Sequence, residues 1–244
     1  MDNRVRYWNA LEDYPDRVAS LFHMSCGDDL RQRIARLSPS GICADLACGP
    51  GYWLNTLGDA ERIYAVDFSA GMLTQARTRA PDQTVFIEQN LRDLDLPEQV
   101  DFALCFNGVM PESHSDALRM LGRIAAALAP NGRLMMVLPS IEALLYTANA
   151  LHFSAAQMGL EAQSLRERLD TWLEWSANPL GYVRNGNGTI VKYWQKDEAE
   201  VAFSMSGDWR VVERFRVLRD NNANGECPPE HLPKAWFHGW VLQK

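Results

Sequence analysis

An α/β architecture, with a mostly parallel seven-stranded sheet, helices on both faces and an antiparallel closing strand, is predicted by three features of the chain. Short apolar runs alternate with amphipathic stretches from residue 41 onward, the pattern of stacked strand and helix units. A glycine-rich turn, "ACGPG", follows the first run, where such a unit changes from strand to helix. Two late apolar runs succeed one another with no helical pattern between them, which suits an antiparallel pair closing a parallel sheet.

Taken in order, residues 1–40 read as a helical cap over one edge of the sheet, with "DDLRQRIARL" the clearest helical period. The first five strands are "GICADLAC" (41–48), "RIYAVDF" (62–68), "TVFIEQN" (84–90), "DFALCFN" (101–107) and "RLMMVLPS" (133–140). "SAGMLTQARTRA" opens on Ser69, whose hydroxyl suits a helix N-cap. "SDALRMLGRIAAALAPNG" sets Leu118, Leu121, Ala125 and Leu128 on one helix face before Pro130 and Gly132 stop it. Residues 141–188 break the rhythm with two helical patterns and a Gly/Asn-rich loop, "NPLGYVRNGNGT", and read as a helical lid inserted after the fifth strand. The runs at 209–219 and 234–244 are the closing pair. Residues 1–244 form a single domain on this reading, without internal repeats or low-complexity tracts.

Composition limits the partners. A chain of 244 residues with 47% hydrophobic content buries a full core. Its net charge of −7 offers no general positive field, and no Lys/Arg block supplies a local one, so neither nucleic acid nor an anionic membrane is an expected partner. Five cysteines (Cys26, Cys43, Cys48, Cys105 and Cys227) lack any C-x-x-C spacing, which points to a reducing cytoplasm and no structural metal. The first residues contain no apolar signal core, and no stretch reaches the ~18 apolar residues of a membrane span.

In an open parallel sheet a ligand binds beyond the carboxyl ends of the strands, and "ADLACGPG" lies at such an end. Glycine there admits a ligand to the backbone, though it equally serves a tight turn that binds nothing. A dinucleotide fingerprint requires a third glycine, where this chain has Tyr52 or Leu54 according to register. Asp67 ends the second run, where its carboxylate can accept both hydroxyl hydrogens of a ribose over the glycine loop; the alternative is a cap on the next helix, a role Ser69 already fills. Asn90 ends the third run, placed either to accept from an adenine amino group or to stabilise a turn.

The ordered segments "ADLACGPG", "YAVDFSAGML", "NLRDLDLP", "VDFALCFNGV" and "RIAAALAPNGRLMMVLP" resemble the class I S-adenosylmethionine-dependent methyltransferases over residues 41–140, and "KYWQKDEAEVAFSMSGDWRVVERFRV" with "WFHGWVLQK" extends the likeness more weakly. The resemblance implies a Rossmann-like fold and S-adenosylmethionine as cofactor. Asp45, Ala47, Gly49 and Gly51 would form the loop under its methionine part, Asp67 would hold the ribose, and Phe68 and Met72 would flank the adenine. Asn90 with the Leu91 backbone would read the adenine edge, and Phe106 and Asn107 would face the sulfonium and the substrate. Two departures are Ala47 at the first loop glycine, where alanine permits close approach in most backbone conformations, and Asn90 where many members carry Asp.

Methyl transfer from a sulfonium needs alignment, exclusion of water and, for a protonated acceptor, a base. His114, in "MPESHSD" after the fourth strand, is the first candidate base, with a helix start as its alternative role; His23, His152, His231 and His238 read as structural or surface residues. Tyr193 is a further substrate-side candidate. The insertion carries Tyr146, Phe153, Trp172, Trp175 and Tyr182, and Trp172 falls on the Leu165–Leu169 face, either packed or turned to an acceptor as a lid. Trp8 and Tyr14 could close over the cofactor by the same logic, or pack. The expected function is methylation of an O or N atom of a small molecule, with a homodimer left open. The rivals are a cofactor-binding partner subunit that transfers nothing and a methyltransferase acting on RNA or protein.

Overall fold

The computed structural model describes residues 25–157, 180–184, 189–218 and 236–244. Helix α1 (Ser25–Leu37) precedes β1 (Ile42–Leu46), a 3-10 turn (Leu54–Leu57), β2 (Arg62–Asp67), α2 (Ala70–Ala76) and β3 (Thr84–Glu88). A second 3-10 turn (Leu91–Asp93), β4 (Val100–Phe106), α3 (His114–Ala127), β5 (Leu128–Pro139) and α4 (Ile141–Gln157) follow. The chain continues through β6 (Tyr182–Arg184), β7 (Ile190–Lys192), α5 (Lys196–Ser206), β8 (Arg210–Leu218) and β9 (Trp236–Gln243).

Seven strands form one sheet in the order β3-β2-β1-β4-β5-β9-β8. The first five are parallel, and β9 pairs antiparallel with both β5 and β8. The pleat sends Phe102, Leu104 and Phe106 of β4 to one face and Ala103 and Cys105 to the other. Leu30 and Ile34 of α1, the first 3-10 turn, and Leu73 and Ala76 of α2 cover the former. Ala117, Leu121 and Ile124 of α3, with Ala199, Ala202 and Phe203 of α5, cover the latter. Burial on both faces explains why the strands read as near-continuous apolar runs. Among the described residues, no helix is long and apolar enough to cross a membrane.

The described part of the N-terminal cap, α1, packs Leu30 and Ile34 into the core on one sheet face and reaches the edge strand β8, where Arg33 stacks on Phe215 at 4.4 Å and pairs with Glu213. Two expectations need correction. Helix α3 ends at Ala127, since Leu128 is already extended (φ −82°, ψ 140°) and starts a β5 of 12 residues. The Gly/Asn-rich loop contains a strand, for β6 pairs antiparallel with β7, so the insertion runs past residue 188. It returns to the sheet at Trp194, whose amide donates to the Pro139 carbonyl at 2.8 Å. The second helical pattern of the insertion lies outside the described residues.

Candidate functional site

The loop after β1 sits where β1 is flanked by β2 on one side and β4 on the other, the point at which an open sheet of this kind forms a crevice. Its backbone is left-handed at Ala47 (φ 60°), Gly49 (φ 52°) and Gly51 (φ 82°). Gly51 is required twice over: beyond its conformation, an added Cβ would lie 3.0 Å from the Ala76 Cα of α2. Ala47 adopts the one conformation in which its methyl costs about 1–2 kcal/mol, so the departure at this position is not the mild one expected. Gly108 makes room for it, since a Cβ there would stand 2.8 Å from the Ala47 methyl.

Two buried carboxylates lie beneath this loop. Asp67 accepts from the Gly49 amide through Oδ2 and from the Ser69 amide through Oδ1, both at 2.9 Å. Ser69 caps α2 by accepting from Met72 N at 3.2 Å, so Asp67 is not the N-cap. Each carboxylate oxygen has a second lone pair, which leaves Asp67 capacity for ligand hydroxyls. Burial raises its pKa from 3.8 to about 6 in spite of the backbone N–H groups that oppose the shift. Asp45 is raised to about 7, by burial first and by the charge of Asp67 second. Its Oδ2 is buried with no hydrogen-bond partner among the described residues.

Above the loop opens a cleft lined by Ala47, Asp67, Phe68, Asn90 and Leu91, all expected at the site, together with Gln89, Arg92, Gly108, Pro111, Asp116 and Met120. Asn90 accepts from Arg92 N at 3.0 Å and so caps the turn at Leu91–Asp93, the turn role of its two readings. Met72 and Phe106 do not line the cleft. Met72 is buried in α2, and the pleat of β4 turns Phe106 onto Trp53, edge to face at 5.1 Å. Asn107 stands at the end of β4 with φ 54°, its amide donating to Val137 O at 2.8 Å and its Oδ1 buried without a partner among the described residues.

Beyond the hairpin β6–β7, Trp194 Nε1 donates to the Val109 carbonyl at 2.9 Å, one residue from Gly108 of the cleft. His114 is the first residue of α3, behind the N-cap Ser113, and is half exposed. Its Nε2 lies 3.1 Å from Glu198 and its Nδ1 3.0 Å from the Tyr182 hydroxyl. Tyr193 is half buried and its amide donates to Gly181 O at 2.8 Å. Trp8, Tyr14 and Trp172 lie outside the described residues.

Sequence reasoning missed Gln89, Arg92, Asp116 and Glu198. Gln89 and Arg92 adjoin positions that were named, so the strand end itself was their signal. Asp116 was hidden as one more acid in a helix start. Glu198 carries no local signal, because only the packing of α5 on α3 brings it to His114.

Residues 43–132 match the family model described as "Methyltransferase domain". The chain is 36% identical over 114 residues to trans-aconitate 2-methyltransferase from Afipia carboxidovorans, covering 46% of this chain and 43% of that protein. It is 32% identical over 105 residues to 2-phytyl-1,4-naphtoquinone methyltransferase from Trichormus variabilis, covering 39% of this chain and 45% of that protein. The chain thus spans less than half the length of these curated relatives. The crystal structure of N-methyltransferase NodS from Bradyrhizobium japonicum, in complex with S-adenosyl-L-homocysteine, shares the fold with a TM-score of 0.61, 11% identity and coverage of 100% of this chain and 99% of that one. The likeness drawn from the five motifs holds for the domain's family and for its Rossmann-like fold.

Proposed function

We propose that this chain, a class I S-adenosylmethionine-dependent methyltransferase by its domain and its fold, methylates an oxygen or nitrogen atom of a small molecule in the cytoplasm. The observation that carries the reading is the pair of buried carboxylates, Asp45 and Asp67, beside a left-handed glycine loop, with Asp67 lining the cleft. S-adenosylmethionine supplies a methyl group on a sulfonium, already activated for displacement. Asp67 takes the ribose hydroxyls on its remaining lone pairs, and the orphaned Oδ2 of Asp45 answers a cationic group above the loop. Phe68 and Leu91 provide apolar walls for the adenine.

A small acceptor is favoured by the acidic balance and by the absence of any recognisable nucleic-acid module in the sequence. The names of the relatives point the same way, trans-aconitate and a naphthoquinone being small molecules. Three buried free thiols, Cys43, Cys48 and Cys105, suit a reducing compartment.

Titration calorimetry with S-adenosylhomocysteine tests this. The wild type binds it and does not bind NAD, and Asp67→Ala binds at least tenfold more weakly, since a hydrogen bond to a charged group is worth about 1.5–3 kcal/mol. NAD binding without S-adenosylhomocysteine binding overturns the reading.

A further inference from the structure

His114 is gripped at both ring nitrogens, by Glu198 at Nε2 and by Tyr182 at Nδ1. A carboxylate can only accept, so the neutral imidazole carries its proton on Nε2 and turns the Nδ1 lone pair to the Tyr182 O–H. Glu198 is itself fixed. The fully buried side chain of Lys192 donates to its carboxylate at 2.8 Å, and to the carbonyls of Leu180 and Tyr193 at 2.5 and 3.0 Å. The Gln195 amide donates to Glu198 at 3.3 Å. The Tyr182 ring stands edge-on to the imidazole, with centroids 5.3 Å apart, and Lys192 Nζ lies 5.3 Å from the centroid of that ring. Four elements, α3, β6, β7 and α5, converge here, and burying a lysine to hold one carboxylate is far more than a solvated surface pair requires.

The cluster is linked to the cleft through Asp116, two residues along α3 from His114. Asp116 lines the cleft and pairs with Arg92 at 3.7 Å, and the charge of Asp116 acts on Tyr182. Burial, then Glu198, then Asp116 push Tyr182 up to about 12, so the phenol keeps its proton at neutral pH and can pass one on only while taking another.

Building on the methyltransferase reading above, we propose that Tyr182 and His114 form a proton relay on the acceptor side of the cleft, with Glu198 and Lys192 as positioning residues. It serves an acceptor that loses an O–H or N–H proton on methylation. The acceptor lone pair forms its bond to the methyl carbon as the carbon–sulfur bond breaks, the electron pair of that bond staying with sulfur. The acceptor's proton passes to the Tyr182 oxygen, and the Tyr182 proton passes to His114 Nδ1. The positive charge lost at sulfur reappears on the imidazolium, where Glu198 stabilises it.

The test is the tautomer of His114 in the full chain, read from imidazole nitrogen NMR of histidine-labelled protein and assigned with His114→Asn. The wild type shows a protonated Nε2 and a hydrogen-bonded, unprotonated Nδ1. Glu198→Gln, whose amide can donate as well as accept, raises the Nδ1–H population to roughly a third or more. Tyr182→Phe keeps the Nε2–H tautomer and moves the Nδ1 resonance toward an unbonded nitrogen. Proton transfer itself is read from turnover on a panel of phenol and amine acceptors: Tyr182→Phe lowers it at least roughly 100-fold while S-adenosylhomocysteine binding is unchanged, and a Tyr182→Phe variant as active as the wild type overturns the relay. Nδ1–H in the wild type, or spectra unmoved by either substitution, overturns the relay. S-adenosylhomocysteine calorimetry on the same samples separates the two levels. Wild type that binds it but lacks the Nε2–H tautomer overturns the relay alone, whereas the tautomer without binding overturns the methyltransferase reading and the relay's role with it.

Discussion

Asp45 and Asp67 are raised to about 7 and about 6, so between pH 4 and 7 the folded protein holds protons that its unfolded chain, with a reference value of 3.8, has released. Stability from this pair is therefore present at low pH and falls as pH rises through that window. Glu142 and Glu200 act in the opposite sense. Both are lowered to about 2, Glu142 against its own burial by hydrogen bonds from His238 and the Lys196 amide, and Glu200 chiefly by Arg214, so their contribution is lost as pH falls below about 4.5. A ligand that presents hydroxyls and a cationic group to the two aspartates requires them ionised. We expect S-adenosylhomocysteine to bind more tightly at pH 7.5 than at pH 5.5 and to release protons near pH 6.5, measured by calorimetry in two buffers of different ionisation enthalpy. An affinity constant over that range with no proton release would show that the pair does not meet the ligand. Asp67 was legible because it ends an apolar run before a serine cap, whereas the bond from its Oδ2 to the Gly49 amide depends on how the loop folds back.

At the scale of elements, the hairpin decides whether the insertion is loosely attached or part of the scaffold. Trp194 is fully buried, its amide and carbonyl join Pro139 and Ile141, and its indole N–H serves the Val109 carbonyl. Trp194→Ala is expected to cost about 3–5 kcal/mol of stability, read from urea unfolding. A loss below about 1 kcal/mol would make the hairpin peripheral. Helix α4 is anchored at its N-terminus as well: Ser140 Oγ accepts from Ala143 N at 3.0 Å, and Glu142 meets His238 of β9 at 2.9 Å. Further along α4, Ala150 is still buried while Phe153 is 74% exposed. The strand inside "NPLGYVRNGNGT" escaped sequence reading because three alternating residues among glycines and asparagines are too short a period to detect.

For the whole molecule, every proposed cofactor contact lies at the carboxyl ends of β1 to β4. Hydrogen exchange with saturating S-adenosylhomocysteine is expected to slow at residues 47–52, 67–69, 89–92 and 107–111, and to stay unchanged at residues 58–61, 81–84 and 129–132. Uniform slowing across both ends would mean general stabilisation in place of a local site. The sequence by itself determined the strand runs, the order of their motifs, Ser69 as a cap and the glycine loop with Asp67, because each depends on neighbours within a few residues: hydrophobic period, capping chemistry and backbone freedom. Tertiary structure alone decided that Phe106 packs on Trp53 instead of facing the cleft, that α1 packs on one sheet face and reaches β8, and that Glu198, held by a buried Lys192, reaches His114 from 84 residues away. Those outcomes depend on which pleat face a strand presents and which helices settle side by side, and such contacts leave no periodic trace in either partner's own sequence.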